Sequence, residues 1–150
     1  MKKLIRTAVW LIAALTASTS YSQETRPMSN DAQSLTTAQM LIDRHFQIWN
    51  ERNSEIRLAR FATVYTPDLV VADYAAEAIG YTAVNQLIER VQGQHEGFVF
   101  LPKPVSWNHG IGRVTWGFGP KDSPDQVRGE DIFTVRDGKL ATLHVFLDTH

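Results

Sequence analysis

The sequence predicts one α+β domain in which helices come first and a run of antiparallel strands follows. Apolar residues recur at helical spacing in three segments before residue 92, and alternating, β-branched segments fill the chain from residue 98 onward. A chain of 150 residues fits one domain. Helices segregated from antiparallel strands in this way are typical of the α+β class.

The start of the chain is predicted to be a secretory signal peptide spanning residues 1–22. Three basic residues precede an apolar run over residues 8–17 that is too short to span a bilayer comfortably. Ser20-Tyr21-Ser22 then fits the small-residue rule for cleavage. A short membrane anchor is the alternative. We therefore expect a periplasmic or secreted protein with no membrane association after cleavage.

The rest of the chain is expected to divide into a flexible lead-in over residues 23–34 and a folded domain over residues 35–150. Removing residues 1–22 leaves 12 basic against 16 acidic residues, so no basic stripe remains for nucleic acid. The chain has no cysteine, which excludes disulfides and thiolate chemistry. No tight metal-ligand spacing and no phosphate-cradling glycine loop is present, so neither a metal nor a cofactor is expected.

Three amphipathic helices are predicted, each with its own start signal. The first follows a capping box of Thr36 and Gln39, and its apolar stripe is Ala38, Leu41, Ile42, His45, Phe46 and Trp49. The second follows Asn53 and ends by Pro67, and its stripe is Leu58, Phe61, Ala62 and Tyr65. The third is capped by Thr82, and its stripe is Val84, Leu87, Ile88 and Val91.

Strands are predicted over residues 69–72, 98–101 and 105–118, with a hairpin over residues 127–148. Gly110, Gly112, Gly117 and Gly119, in the long strand and directly after it, indicate bulges or strong curvature. In the hairpin, Asp137-Gly138 between two alternating runs is typical of a two-residue type I′ turn.

In-step pairing from this turn sets Val135 opposite Leu140, Phe133 opposite Thr142 and Asp131 opposite His144. Phe133, Val135, Leu140 and Phe146 would then share a buried face with the Asp131–His144 pair. A three-residue loop with a bulged glycine is the alternative, and it would place His144 opposite Glu130. A carboxyl beside an imidazole on an apolar face suits acid–base chemistry. It also suits a hydrogen-bonded pair with no catalytic role.

Scattered motifs over residues 35–148 make the chain similar to the nuclear-transport-factor-2-like superfamily, and within it to SnoaL-like proteins. The residues that carry the resemblance are Trp49-Asn50-Glu51, Arg57, Tyr65-x-x-Asp68, Asp73, Gly80, Ala83-Val84, Arg113-x-x-Trp116-x-x-Gly119, Gly129-x-Asp131, Asp137-Gly138-Lys139-Leu140 and Phe146-Leu147-Asp148. The resemblance implies a curved antiparallel sheet wrapped around three helices, forming a cone with an internal pocket. It also implies homodimers through the outer sheet face.

The resemblance suggests roles for three residues. Asp73 falls where ketosteroid isomerases of this superfamily carry their general base, although Tyr74 follows it where those enzymes usually have proline. Asp131 falls where those isomerases keep a protonated carboxyl that donates a hydrogen bond to the substrate oxygen. Trp49 falls near their catalytic tyrosine, but an indole only donates and cannot replace an acidic phenol fully.

The predicted site therefore has Asp131, His144 and Asp73 as catalytic candidates. The ligand-binding candidates are Trp49, Tyr65, His109, Arg113, Trp116, Phe133 and Phe146. An arginine in the pocket would bind a carboxylate or enolate oxygen. The alternative for Arg113 is the outer face with a salt bridge to Glu130, and Trp116 is alternatively a core or dimer-surface residue.

Taken together, these features predict a domain that binds a small apolar or carbonyl-bearing molecule in an internal pocket and moves a proton on it. The alternative is a non-catalytic dimeric binding or assembly module, because this fold hosts both. A homodimer is expected through an outer apolar stripe of Ile132, Leu143, Val145 and Leu147.

Overall fold

The computed structural model describes residues 28–148, which form three helices and seven strands. The predicted signal peptide and the beginning of the predicted lead-in lie outside these residues. Within the described range, no helix is long and apolar enough to cross a membrane.

The helices are α1 (Met28–Asn50), α2 (Ser54–Val64) and α3 (Gly80–Gln94). α1 begins at Met28, inside the segment expected to be an irregular lead-in and before the expected capping box. The cap of α2 is confirmed, because the Asn53 side chain accepts the backbone N–H groups of Glu55 and Ile56 at 3.0 and 3.1 Å. The Thr82 cap is wrong: α3 starts at Gly80 after Ile79, without a side-chain cap.

The strands form one seven-stranded sheet in the order β2-β1-β7-β6-β5-β3, and β4 also pairs with β5. Their bounds are β1 (Tyr65–Ala72), β2 (Glu77–Ile79), β3 (Val99–Pro102), β4 (Ser106–Asn108), β5 (Ile111–Gly119), β6 (Val127–Arg136) and β7 (Lys139–Leu147). The sheet is mixed rather than purely antiparallel, because β1 and β7 run parallel. A parallel pair needs a long crossover, and here the crossover contains α3 and the other strands.

The long strand expected over residues 105–118 is two strands joined by a tight turn. Asn108 pairs with Ile111, and the two residues between them, His109 and Gly110, have φ values of 46° and 98°. The positive φ values reverse the chain, so His109 lies exposed at a turn instead of inside a strand.

The core lies between the three helices and one face of the sheet, which we call the inner face. The helices contribute buried Leu41, Phe46, Phe61, Val84 and Ile88, and the inner face contributes Val71, Val114, Phe133, Leu140 and Leu143. The opposite, outer face carries the alternate residues of the same strands, including Val70, Arg113, Ile132, Thr142 and His144.

The buried stripe of α2 differs from the predicted one because an arginine occupies it. Arg57, Phe61 and Val64 are buried, while Leu58 is 41% exposed. The Arg57 guanidinium donates to the backbone oxygen of Glu51 at 2.7 Å and to the Asn85 side-chain oxygen at 2.8 Å. It therefore ties the loop between α1 and α2 to α3, which an apolar side chain at this position could not do.

The free edge of β3 is covered by the last residue of α1. The Asn50 amide donates to the backbone oxygen of Phe100 at 3.0 Å, and its oxygen accepts the Phe100 N–H at 2.8 Å. One side chain thus replaces a neighbouring strand for one residue of the edge, which discourages edge-to-edge association. The same contact fixes Phe100 on the inner face.

We predict that Asn50→Ala lowers the free energy of unfolding by about 1–3 kcal/mol, because it leaves the backbone N–H and C=O of Phe100 without partners. Urea unfolding followed by circular dichroism measures the change. Asn108→Ala, at an exposed turn, is the matched control and should change stability by less than about 0.5 kcal/mol. Equal losses in the two variants would show that the edge contact contributes nothing.

Candidate functional site

A cavity of about 320 Å³ lies between the inner face of the sheet and helices α1 and α3. Its aromatic wall consists of Phe46, Trp49, Phe100, Trp116 and Phe118. Its aliphatic wall consists of Val71, Leu87, Val91, Val127, Leu143, Val145 and Leu147. The polar residues in its wall are His45, Asp73, His95 and Asp131. This is an apolar pocket with a few polar groups, as small-molecule sites commonly are.

The predicted turn that leads into this site is present. Asp137 and Gly138 have φ values of 52° and 71°, as a type I′ turn requires at both positions. Arg136 pairs with Lys139 and Val135 with Leu140, as in-step pairing predicts.

One residue further from the turn, the register changes. Thr134 pairs with Thr142, so Ala141 is an extra residue in β7 with no partner in β6. This is a β-bulge, and it displaces every later pairing by one residue. A shift of one residue moves side chains to the other face of the sheet.

The expected Asp131–His144 pair is therefore wrong. Asp131 pairs with Val145, and His144 pairs with Ile132 on the outer face, where it is exposed. The alternative, with His144 opposite Glu130, is wrong as well, because Glu130 pairs with Phe146. The bulge also turns Leu143, Val145 and Leu147 toward the cavity, so most of the expected outer stripe is not on the outer face.

Asp131 meets a different histidine, on α1. Asp131 is 4% exposed and His45 is 2% exposed. The Nε2 atom of His45 lies 3.8 Å from Oδ2 of Asp131, and its Nδ1 atom lies 2.9 Å from the hydroxyl oxygen of Tyr65. Oδ1 of Asp131 accepts the indole N–H of Trp116 at 2.9 Å. These four side chains form the polar floor of the site, and we call them the floor group.

Gly129 lets Trp116 reach the carboxyl. Trp116 and Gly129 are paired across β5 and β6, and a Cβ atom on Gly129 would come within 2.7 Å of the Trp116 ring. The indole therefore lies over the bare backbone of β6 and directs its N–H at Asp131, two residues along. A larger residue at position 129 would displace the ring and break this hydrogen bond.

Burial dominates the electrostatics of the floor group. It raises the pKa of Asp131 to about 7, against the opposing effect of the Trp116 hydrogen bond. It lowers the pKa of His45 to about 3 and raises the pKa of Tyr65 well above its usual value. At slightly acidic pH, both Asp131 and His45 are therefore neutral, and the pair is a neutral acid beside a neutral imidazole instead of an ion pair.

Four other predicted residues lie at or next to the cavity. Trp49 and Trp116 are in its wall, and Tyr65 is fully buried behind His45. Asp73 also lies in the wall, but it is exposed, and its Oδ1 accepts the backbone N–H groups of Ala75 and Ala76 at 2.8 and 2.9 Å. Those bonds shape the turn between β1 and β2, so half of this carboxylate is already occupied.

The remaining predicted ligand-binding residues are not in the cavity wall. His109 is in the β4–β5 turn, and Arg113 is on the outer face, where its Nε donates to Glu130 at 2.7 Å. Phe133 is fully buried and packs beside Trp107. Phe146 is 42% exposed on the outer face, because the bulge reverses its side of β7.

His45 is the principal functional candidate that sequence reasoning left aside. Its position four residues before Trp49 places it on the apolar face of α1, and that spacing indicated a core or pocket-rim histidine. Its partner could not be identified without knowing which β6 side chains face α1. Among the described residues, no group of three or more His, Asp or Glu side chains could hold a metal ion.

No protein-family model and no curated protein matches the chain. Solved structures do match. A proposed isomerase of the SnoaL-like family from Agrobacterium tumefaciens superimposes with a TM-score of 0.70 at 19% identity, over 76% of this chain and 99% of that one. A proposed polyketide cyclase from Sinorhizobium meliloti gives 0.58 at 18%, over 70% and 92%.

A third match, an NTF2-like protein of unknown function from an Exiguobacterium species, gives a TM-score of 0.61 at 19% identity, over 73% of this chain and 99% of that one. The chain therefore has the nuclear-transport-factor-2-like fold. The predicted α+β cone is confirmed at the level of the fold.

The two shifted pKa values predict opposite effects of pH on stability. Asp131 binds its proton more tightly in the folded chain, so its contribution to the free energy of unfolding falls as pH rises between 3.8 and about 7. His45 binds its proton less tightly in the folded chain, so its contribution rises between about 3 and 6.5. Between about pH 4 and 6.5 the two contributions cancel in the wild-type chain.

We predict that removing either group exposes the effect of the other. Relative to wild type, the stability of Asp131→Asn should rise with pH from 4 to 6.5, and that of His45→Gln should fall, each by up to about 1.4 kcal/mol per pH unit. Urea unfolding at several pH values measures both slopes. Parallel curves for the three proteins would show that the pair is not neutral in the folded state.

Proposed function

We propose that this chain binds a small, largely apolar molecule with a carbonyl oxygen and moves a proton on it, using Asp131 and His45. The observation that carries the proposal is a buried carboxyl with a pKa of about 7 beside a neutral imidazole at the floor of an apolar cavity. A general base works best when its pKa lies near the working pH. His45, with a pKa of about 3, is too weak a base for this role.

In the proposed reaction, ionised Asp131 removes a proton from the carbon next to the carbonyl and returns it at another position. Trp116 orients the carboxylate through Oδ1, which leaves Oδ2 to act as the base. In this proposal the Tyr65 hydroxyl donates a hydrogen bond to Nδ1 of His45, 2.9 Å away, so that Nε2 carries the imidazole proton and stabilises the enolate oxygen. Isomerisation of a double bond and aldol-type cyclisation both need these steps.

The apolar wall supports this chemistry in a second way. It excludes water from the carboxylate and from the enolate, which strengthens each hydrogen bond to the developing charge. The solved structures that resemble this chain include a proposed isomerase and a proposed polyketide cyclase, and isomerisation and cyclisation are both compatible with the proposed proton transfer. We further propose that the chain acts in the periplasm or outside the cell, as its predicted signal peptide implies.

A β,γ-unsaturated cyclic ketone tests the reaction directly, because its conjugated product absorbs in the ultraviolet. We predict that turnover rises with pH as Asp131 ionises near pH 7. Asp131→Asn should abolish turnover and still allow the ketone to raise the melting temperature. Asp122→Asn, in an exposed loop, is the matched control and should behave as wild type. Full activity of Asp131→Asn would rule out the proposed base.

The second candidate function, a non-catalytic dimeric module, is favoured by the outer face of the sheet. One row across five strands consists of Ile79, Val70, Thr142, Thr134 and Ile111. Ile79 and Ile111 are 56% and 54% exposed, and Ile132 lies in the next row. We propose that two copies of the chain associate through this face, whether or not the chain is an enzyme.

Replacing Ile132 with glutamate tests the dimer. We predict that the wild-type chain sediments as a dimer at micromolar concentration and that Ile132→Glu sediments as a monomer, because it buries a charge in the interface. Ile56→Glu, on the exposed side of α2, should remain dimeric. A monomeric wild-type protein would contradict this proposal.

A further inference from the structure

The cavity has polar groups at two depths, with apolar wall between them. Asp131 and His45 are buried at its floor, whereas Asp73 is exposed and His95 is half-buried. Asp73 directly follows β1, and His95 directly follows α3. Greater exposure places Asp73 and His95 at the mouth, and we call them the mouth pair. The proposed reaction uses only the floor group, which leaves the mouth pair without a role.

The hydrogen bonding of His95 determines what its ring offers to the cavity. Nδ1 of His95 lies 3.0 Å from the backbone oxygen of Val91. A carbonyl oxygen can only accept, so Nδ1 carries the proton, and in the neutral ring Nε2 carries a lone pair. Phe98 and Phe118 contact the ring at centroid distances of 5.1 and 5.3 Å and hold its orientation. Within the described part of the chain, Nε2 takes no other hydrogen bond.

Asp73 also offers a hydrogen-bond acceptor to the cavity. Its Oδ1 accepts two backbone N–H groups of the turn after β1, and no bond to its Oδ2 occurs among residues 28–148. An ionised carboxylate has acceptors only. The mouth pair therefore presents two acceptors to a ligand, Oδ2 of Asp73 and the Nε2 lone pair of the neutral His95 ring.

The charges of the other residues that line the cavity also favour a ligand group that donates a hydrogen bond. Among the described residues, no lysine or arginine lines the cavity, and both of its carboxyl groups are aspartates. A ligand carboxylate or phosphate at the mouth would meet Asp73 with no compensating cation, and like charges in a partly desolvated site repel. A hydroxyl or ammonium group would find an acceptor in Oδ2 of Asp73 or in Nε2 of His95.

We propose that Asp73 and His95 form a second binding subsite, at the cavity mouth, for a hydrogen-bond donor on the ligand. This inference rests on the proposed function in one respect: the carbonyl end of the ligand lies at Asp131. The ligand class is then a flat, apolar molecule with a carbonyl at one end and a hydroxyl or ammonium group at the other. Molecules with a carboxylate or phosphate at the distal end are excluded.

Four tetralones provide matched probes: 2-tetralone, and its derivatives with a hydroxyl, methoxy or carboxyl group at carbon 6. Each has the same ketone and the same flat body, and the distal group alone differs. Isothermal titration of the full mature chain at pH 7.5 gives the four dissociation constants. We predict that the 6-hydroxy compound binds about tenfold more tightly than the 6-methoxy compound, since only the hydroxyl donates, and that the 6-carboxy compound binds most weakly.

Two variants locate the effect at the mouth pair. Asp73→Asn keeps an oxygen for the turn and replaces the other acceptor with a donor, so it should reverse the preference for hydroxyl over methoxy and improve binding of the 6-carboxy compound. His95→Phe keeps the ring contacts and should reduce the hydroxyl preference severalfold. Asp122→Asn, in an exposed loop, should leave all four constants unchanged.

The outcomes separate the two proposals. If 2-tetralone binds and Asp131→Asn changes its pH dependence, but wild type does not prefer hydroxyl over methoxy, the mouth subsite is wrong and the floor group stands. A hydroxyl preference that survives in both mouth variants also overturns the subsite. If no tetralone binds the wild-type chain, both proposals fail.

Discussion

The site depends on two side chains, the Asp131 carboxyl and the His45 imidazole, that are buried next to each other in their uncharged forms. In the unfolded chain near pH 5, Asp131 is ionised and His45 is protonated, because their ordinary pKa values are 3.8 and 6.5. Folding moves both into an apolar interior, where separated charges are costly. The pKa values cross, and the proton that belongs to the imidazole in water belongs to the carboxyl in the folded chain. Near pH 5, folding therefore has the same net effect as the transfer of a proton from His45 to Asp131, which lie 86 positions apart in the sequence.

Three local features bring this pair together, and each is set by a small residue or a short segment. The Asp137-Gly138 turn begins the β6–β7 hairpin, and the bulge at Ala141 decides which β7 side chains lie beside Asp131. Gly129 leaves space for the Trp116 ring, whose N–H fixes the orientation of the carboxyl. The buried face of α1 then supplies the histidine. None of these features is itself an acid or a base of the site. Together, however, they determine the pKa values of the groups that are.

Much of the fold could be predicted from local signals. Asn53 as a helix cap, the type I′ turn and the three helical segments are confirmed, because each depends on residues close together in the chain. The parallel pairing of β1 with β7 and the interruption of the long strand at His109 were not predicted. The first depends on tertiary packing, and the second on a His-Gly turn that lacks the usual Asn-Gly or Asp-Gly signal.

The candidate site was predicted less well than the fold, and the reason is geometric. Asp131, Asp73, Trp49 and Trp116 were expected in the pocket and do line it. His144, Arg113 and Phe146 were expected there and lie on the outer face. His144 and Phe146 lie on the outer face for one reason, the extra residue Ala141 in β7. No residue preference in the hairpin indicates this bulge. Identifying His45 required knowing which β6 side chains face α1.

The bulge also bears on how sequences of this kind should be compared. Beyond Ala141, a distant homologue without the extra residue would present the opposite set of β7 side chains to the cavity, although an ungapped alignment would match its strand residue for residue. Identical letters at position 144 could then mark a cavity histidine in one protein and a surface histidine in another. Treating Ala141 as a one-residue insertion when sequences are aligned removes this ambiguity, and the side of the sheet occupied by each β7 residue becomes comparable across homologues.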